Sequence, residues 1–264
     1  MSDMHINKVE IIPIPLSIDI KYGDDIAYLI LESIKSISLE ILDNDVIVVA
    51  QKIVSKAEGR VVNLDSIEPS EEAERIAKEH GKDARLVELM LRESKIIAAD
   101  NGVIITQTRH GFVCANAGID ASNVQGNNVT LLPLDADASA RSIRDRIYTL
   151  TNKRVGVIIT DTFGRPFREG QVNIAVGLAG INPIIDYRGK KDMYGKELRI
   201  TQIAVADEIA SAAELVMGKS KGVPVALVRG LDCCCSNDDH SIHKLIRSED
   251  KDIFLKLAKI YNNK

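Results

Sequence analysis

The sequence predicts a mixed α/β fold. Short continuous apolar runs of the buried-strand type occur at 46–50 and 155–160. Between them lie stretches with apolar residues at helical spacing, separated by clusters of Gly, Asn, Asp and Pro that mark turns. No repeat of 20–50 residues is visible, which excludes solenoids and propellers.

Residues 9–14 read as an opening strand. Asp24 and Asp25 precede a helix whose Ile26, Leu29, Ile30 and Ile34 share one face. Asp43-Asn44-Asp45 is a turn before the strand at 46–50. Ser70, just after Pro69, caps a helix that Gly81 ends, and a second helix covers 84–94. Arg109-His110-Gly111, flanked by 103–108 and 112–115, has the signature of a hairpin. Ala140, Ile143, Ile147 and Leu150 form one helical face closed by Asn152. The run at 155–160 reads as a strand ending at Asp161. Residues 205–217 read as an alanine-rich helix stopped by Gly218, and 224–228 as a last strand. Beyond Asp232 the composition turns polar, and a peripheral helix is expected at 253–261.

The 264 residues suffice for a core that buries roughly three quarters of the unfolded surface. With 34 basic and 38 acidic residues, the net charge of −4 gives no basic excess for nucleic acid. Aromatics are 4% with no tryptophan, so stacking platforms for bases are poorly supplied. No apolar run reaches the ~18 residues of a membrane span. The Met-Ser-Asp-Met-His start lacks the pattern of a signal peptide, so a cytoplasmic location is expected. Cys114 and the consecutive Cys233, Cys234 and Cys235 lack metal-ligand spacing and read as reduced, incidental thiols.

Three polar segments follow apolar strands. Residues 116–123 pack two asparagines, an aspartate and a serine together, as a site or as a self-bonded turn. In 158–168, Asp161 with the Thr162 hydroxyl offers hard oxygens to a divalent cation, and Arg165 and Arg168 offer forked donors to anions. A solvated loop with a local Asp–Arg pair is the competing reading. In 51–60, Gln51, Lys52, Ser55 and Lys56 suit an anion or a solvated charged face. Gly218-Lys219-Ser220 mimics the end of a P-loop, but Ala213 stands where the first glycine belongs and the segment ends a helix. No HExxH, GxSxG or GxGxxG pattern is present, and His240 with His243 makes a poor metal site.

The strings IVSKAEGR (53–60), NAGIDASN (116–123) and RVGVIITDTFGR (154–165), in this order, resemble the coenzyme F420-0:L-glutamate ligases, the F420 γ-glutamyl ligases. KDMYGKEL (191–198), VADEIA (205–210) and Met217-Gly218 extend the resemblance, which spans 9–231 and leaves 232–264 as a tail. It implies a family-specific α/β fold of two intertwined subdomains, forming a homodimer. It implies GTP-dependent addition of L-glutamate to F420-0, and by γ-linkage to F420-1, with release of GDP and phosphate. Two divalent cations, Mg²⁺ or Mn²⁺, and K⁺ are implied as cofactors. Neither a membrane nor a nucleic acid is an expected partner.

Carried over residue by residue, the resemblance makes Asp120 and Asp161 metal ligands and gives Thr162 the other cation. It places Gln51, Lys52, Lys56 and Asn123 against the nucleotide, with Met217, Gly218 and Lys219 opening the loop that closes over it. Ser17, Ile18, Asp19 and Ile20 fall where relatives have a proline-containing loop that contacts GTP. Lys219 stands where some relatives carry an acidic residue. Two other readings are a non-catalytic module holding F420 or a nucleotide, and a sibling ligase acting on another acid-bearing cofactor. Both aspartates and Thr162 argue against a pure binder, which has no use for a phosphoryl-transfer site.

Overall fold

The computed structural model describes residues 8–100, 102–231 and 240–256. β1 (Glu10–Ile14) leads to α1 (Ile26–Ser36), which starts where the Asp25 carboxylate accepts the Tyr28 N–H. That bond satisfies one of the unpaired donors of the first turn. β2 (Val46–Ala50) passes directly into α2 (Gln51–Ala57). β3 (Val61–Asn63) is followed by α3 (Glu71–His80), capped by Ser70 and closed by left-handed Gly81, and by α4 (Ala84–Glu93). β4 (Ser94–Asp100), β5 (Val103–Thr108) and β6 (Val113–Ala115) make a small antiparallel sheet, and β7 (Asn128–Thr130) returns to pair with β3. Then come α5 (Ala136–Thr151), β8 (Gly156–Arg165), β9 (Arg168–Ala179), the short pair β10 (Ile185–Asp186) and β11 (Gln202–Ile203), α6 (Val205–Met217) and β12 (Val225–Arg229).

The main sheet has the order β1-β12-β2-β8-β9. β2 and β8 are parallel, and every other neighbouring pair is antiparallel. Val46 to Val49, Val157 to Ile159 and Val225 to Val228 are buried, because helices cover the sheet and leave these strands no wet face. α5 and α6 both pack on β9. A second, smaller core joins Ala73, Ile76, Val87 and Met90 of α3 and α4 to Ile104 of β5 and to Ala117.

The helices expected at 26–34, 71–80, 84–94, 140–150 and 205–217 and the 103–115 hairpin form where the sequence places them. Two segments differ. The 158–168 segment, for which a solvated loop is the competing reading, instead continues β8 to Arg165 and turns into β9, with Thr162 opposite Asn173 and Arg165 opposite Arg168. Residues 51–57, the first part of the polar 51–60 segment, are the helix α2. Both segments shape the cleft. The parallel pairing of β2 with β8 ends at Ala50 opposite Thr160, where β2 turns into α2 and β8 runs on with β9 alone. The crevice outside the carboxyl ends of parallel strands is where open α/β sheets bind ligands.

The tail is less peripheral than its composition suggests. Ile242 is buried, and Ser241 Oγ donates to Asp137 Oδ2 of α5 at 2.7 Å. Cys233, Cys234 and Cys235 and residues 257–261 of the expected terminal helix lie outside the described residues. Among the described residues, no helix is long and apolar enough to cross a membrane.

Candidate active site

Where β2 and β8 part, a cleft of about 980 Å³ opens. Its floor is the outer half of the β8–β9 ribbon. Its walls are α2, the 116–123 segment and the chain after α6.

Asp120 is fixed by its backbone, which exchanges two hydrogen bonds with Thr130 at 3.0 and 2.8 Å. Its Oδ1 accepts the Ser122 N–H at 2.6 Å, a local turn that aims the carboxylate. Lys52 of α2 reaches Asp120 Oδ2 at 2.7 Å and also donates to the Ser122 carbonyl and hydroxyl. Burial alone would raise the Asp120 carboxyl, but hydrogen bonds from Lys52 and Ser122 outweigh it and hold the group below its ordinary value. Asp120 thus closes a turn on itself and still lines the cleft.

Asp161 differs. Burial pushes its carboxyl up to about 6, and the neighbouring charge of Asp120 adds to the rise. The Thr162 N–H, Lys219 and Lys52 oppose it without cancelling it. Asp161 is thus a carboxylate short of positive charge. Beside it, the Thr162 hydroxyl donates to Asn173 Oδ1 at 2.7 Å and accepts from Lys219 Nζ. The same ammonium lies 3.1 Å from Asn173 Oδ1 and 3.3 Å from Glu214 Oε1.

Lys219 gets there because α6 stops at Gly218, whose backbone (φ 59°, ψ −174°) is open to glycine almost alone. Asn123 Nδ2 donates to the Lys219 carbonyl at 3.4 Å and ties the two loops together. Met217 is buried at the cleft edge. Because Gly218-Lys219-Ser220 follows a helix instead of opening one, its likeness to a P-loop is superficial.

Lys56 lines the cleft with its Nζ 2.7 Å from Asp19 Oδ1. Gln51 is buried, its Oε1 accepts from Ser55 Oγ at 2.8 Å, and its Nε2 has no protein partner. The 17–20 segment is brought in only in part. Ile18 lines the rim, Asp19 acts through Lys56, Ser17 lies outside the lining, and Ile20 is packed in the main core. Arg165 and Arg168 sit at the hairpin tip outside the lining, where Arg165 donates to the Glu169 carbonyl. Cys114 also lines the cleft, but burial pushes its thiol up to about 12, so it is no nucleophile.

Asn173 and Glu214 were not singled out by the sequence. The first is placed by strand register and the second by where α6 ends, and neither leaves a local signal.

A family model described as F420-0:Gamma-glutamyl ligase matches residues 16–230. The chain belongs to this family. It is 49% identical over 234 residues to the coenzyme F420:L-glutamate ligase of Methanothermobacter thermautotrophicus, covering 88% of this chain and 93% of that one. It is 47% identical over 246 residues to the protein of that name from Methanopyrus kandleri, covering 92% and 96%. The corresponding protein of Methanocaldococcus jannaschii is 45% identical over 249 residues, covering 94% and 97%.

The donor set of this F420 γ-glutamyl ligase family member suits a hard divalent cation. Asp120 and Asp161 lie close enough for their charges to interact, and Lys52 and Lys219 compensate Asp161 only in part. Among the described residues, no three His, Cys, Asp or Glu side chains gather into an ion cage. A cation here would draw its remaining ligands from water and phosphate oxygens, the usual habit of Mg²⁺.

Proposed function

We propose that this chain is a GTP-dependent ligase that joins L-glutamate to the carboxylate of coenzyme F420-0, and by γ-linkage to F420-1, releasing GDP and phosphate. The convergence of Asp120, Asp161, Lys52 and Lys56 on one cleft at the end of β2 and β8 carries this reading. A family match across most of the chain supports it, as do the names borne by its relatives.

Lys52 and Lys56 act as mobile point charges for the triphosphate, leaving Asp120 and Asp19 as the nucleotide enters. Asn123 and the 217–219 loop close over it. Asp120 and Asp161 would hold Mg²⁺ or Mn²⁺, which when bound neutralises charge on the phosphates. The γ-phosphoryl passes to the precursor carboxylate with loss of GDP. The glutamate amine then attacks the acyl carbon, phosphate leaves, and the amine surrenders a proton as the amide forms. K⁺ as a further counter-ion and a homodimer of intertwined subdomains belong to the same proposal.

Incubation with F420-0, L-glutamate, GTP and Mn²⁺, followed by mass spectrometry, tests it. The expected product is F420-0 extended by glutamyl residues, in step with GDP release. Retention of F420-0 without extension would make the chain a binding module. Extension of a different acid-bearing cofactor alone would make it a sibling ligase.

A further inference from the structure

The cation expected at Thr162 meets a side chain already in its place. The Lys219 ammonium has three N–H donors and faces three oxygens: the Thr162 hydroxyl, Asn173 Oδ1 at 3.1 Å and Glu214 Oε1 at 3.3 Å. The cage is built rather than casual. Asn173 is 3% exposed and lies opposite Thr162 in the β8–β9 register. The Thr162 hydroxyl spends its proton on Asn173, so its lone pairs are left for a cation. Gly218 turns the chain back over the ribbon, and Asn123 holds the Lys219 carbonyl.

We infer that Lys219 is a built-in counter-ion that takes the oxygen cage of Thr162, Asn173 and Glu214, leaving the chain a single divalent cation between Asp120 and Asp161. This rests on the reading of the cleft as a nucleotide and cation site. A divalent ion and an ammonium sharing the same oxygens exclude each other by size and by charge. A tethered ammonium needs no dehydration and cannot be lost to chelators. It is monovalent, however, and supplies half the charge of the ion it replaces. The two cation positions of the cleft then differ in kind: an exchangeable metal between aspartates, and a covalently held charge over a hydroxyl, an amide and a carboxylate.

Counting Mn²⁺ bound per chain tests this, by electron paramagnetic resonance of the free ion during titration. The count is made on folded wild type, Lys219→Gln and Lys219→Arg, each with and without the non-hydrolysable imido analogue of GTP. Wild type and Lys219→Arg should bind one Mn²⁺, and Lys219→Gln should gain a second. A second Mn²⁺ on the wild type would overturn the inference. Equal counts on wild type and Lys219→Gln, or no Mn²⁺ on any variant, would do the same. Glutamate ligation by the wild type is scored separately. Ligation without the predicted counts removes only this inference. The predicted counts without ligation remove only the functional reading.

Discussion

Lys52 Nζ stands 2.7 Å from Asp120 Oδ2, so α2 supplies the charge that stabilises this carboxylate. A metal at Asp120 must displace that ammonium or tolerate its repulsion. Lys52→Met should therefore tighten Mn²⁺ binding to the nucleotide-free protein by roughly tenfold, an effect of ~1.4 kcal/mol for one nearby charge at partly exposed range. The same variant should raise the apparent KM for GTP, because the phosphate loses its point charge. Mn²⁺ titration and steady-state kinetics read the two effects, and an unchanged Mn²⁺ affinity would refute the competition.

Asp161→Asn should move stability and turnover in opposite directions. The folded-state carboxyl titrates at about 6, above its ordinary value of 3.8. The folded form thus binds the proton more tightly than the unfolded one. The resulting stability is fully present below the ordinary carboxylate range and is lost as pH rises through about 6. In metal-free protein at pH 7, the charged Asp161 should cost on the order of 3 kcal/mol. Asp161→Asn should raise Tm at pH 7 by several degrees, flatten its fall between pH 4 and 6, and abolish ligation. A lower Tm at pH 7 would show that the carboxylate is better compensated than its surroundings indicate.

Lys56 pairs with Asp19 at 2.7 Å, a contact between a cleft-lining helix and the exposed 17–19 segment. A partly exposed pair contributes under about 1 kcal/mol, so Lys56→Ala should fold normally. It should raise the apparent KM for GTP strongly, and Lys56→Arg should recover only part of the loss because the longer fork misplaces the charge. A fall in kcat as well would mean that the charge follows the moving phosphoryl group. Asp19→Asn frees the ammonium and should leave KM equal or lower. Unchanged kinetics in Lys56→Ala would remove α2 from the nucleotide site.

Much of this architecture is legible locally. Asp25, Ser70 and Asp135 cap the helices they precede, and Gly81 and Asn152 close theirs in left-handed conformation. β8 is legible only to Thr160, because up to there it is buried on both faces beside β2. Past that point it lines a wet cleft, and Thr-Asp-Thr-Phe-Gly-Arg carries no strand-like apolar run. Asp120, Asp161 and Lys52 were recognisable from the strings around them. Asn173 and Glu214 were not, since both meet Lys219 only through sheet register and the exit path of α6. Ile20 falls where relatives have a loop that contacts GTP, and its side chain is packed in the core.

Gly177 is a position where packing leaves little room. A Cβ there would lie 2.4 to 2.5 Å from the carbonyl carbon, Cβ and carbonyl oxygen of Ala136, the first residue of α5. Two of those three atoms are backbone, so no rotamer change can relieve the clash. The start of α5 cannot retreat freely, because Asp137 Oδ1 accepts the Leu178 N–H at 2.8 Å and Oδ2 accepts from Ser241. Pushing the helix off β9 would break the Leu178 bond and strain the bonds from Ser241 and Ile242 that also hold the buried Asp137 carboxylate. Gly177→Ala should therefore cost about 2–4 kcal/mol, at or above the usual range for overpacking. For a chain of this size that lowers Tm by roughly 5–15 °C. Gly164→Ala is the control, since its Cβ would meet nothing within 4 Å. Thermal unfolding of both variants against the wild type decides the matter: equal Tm values would mean that α5 can slide on β9 and that the Asp137 tether does not fix it.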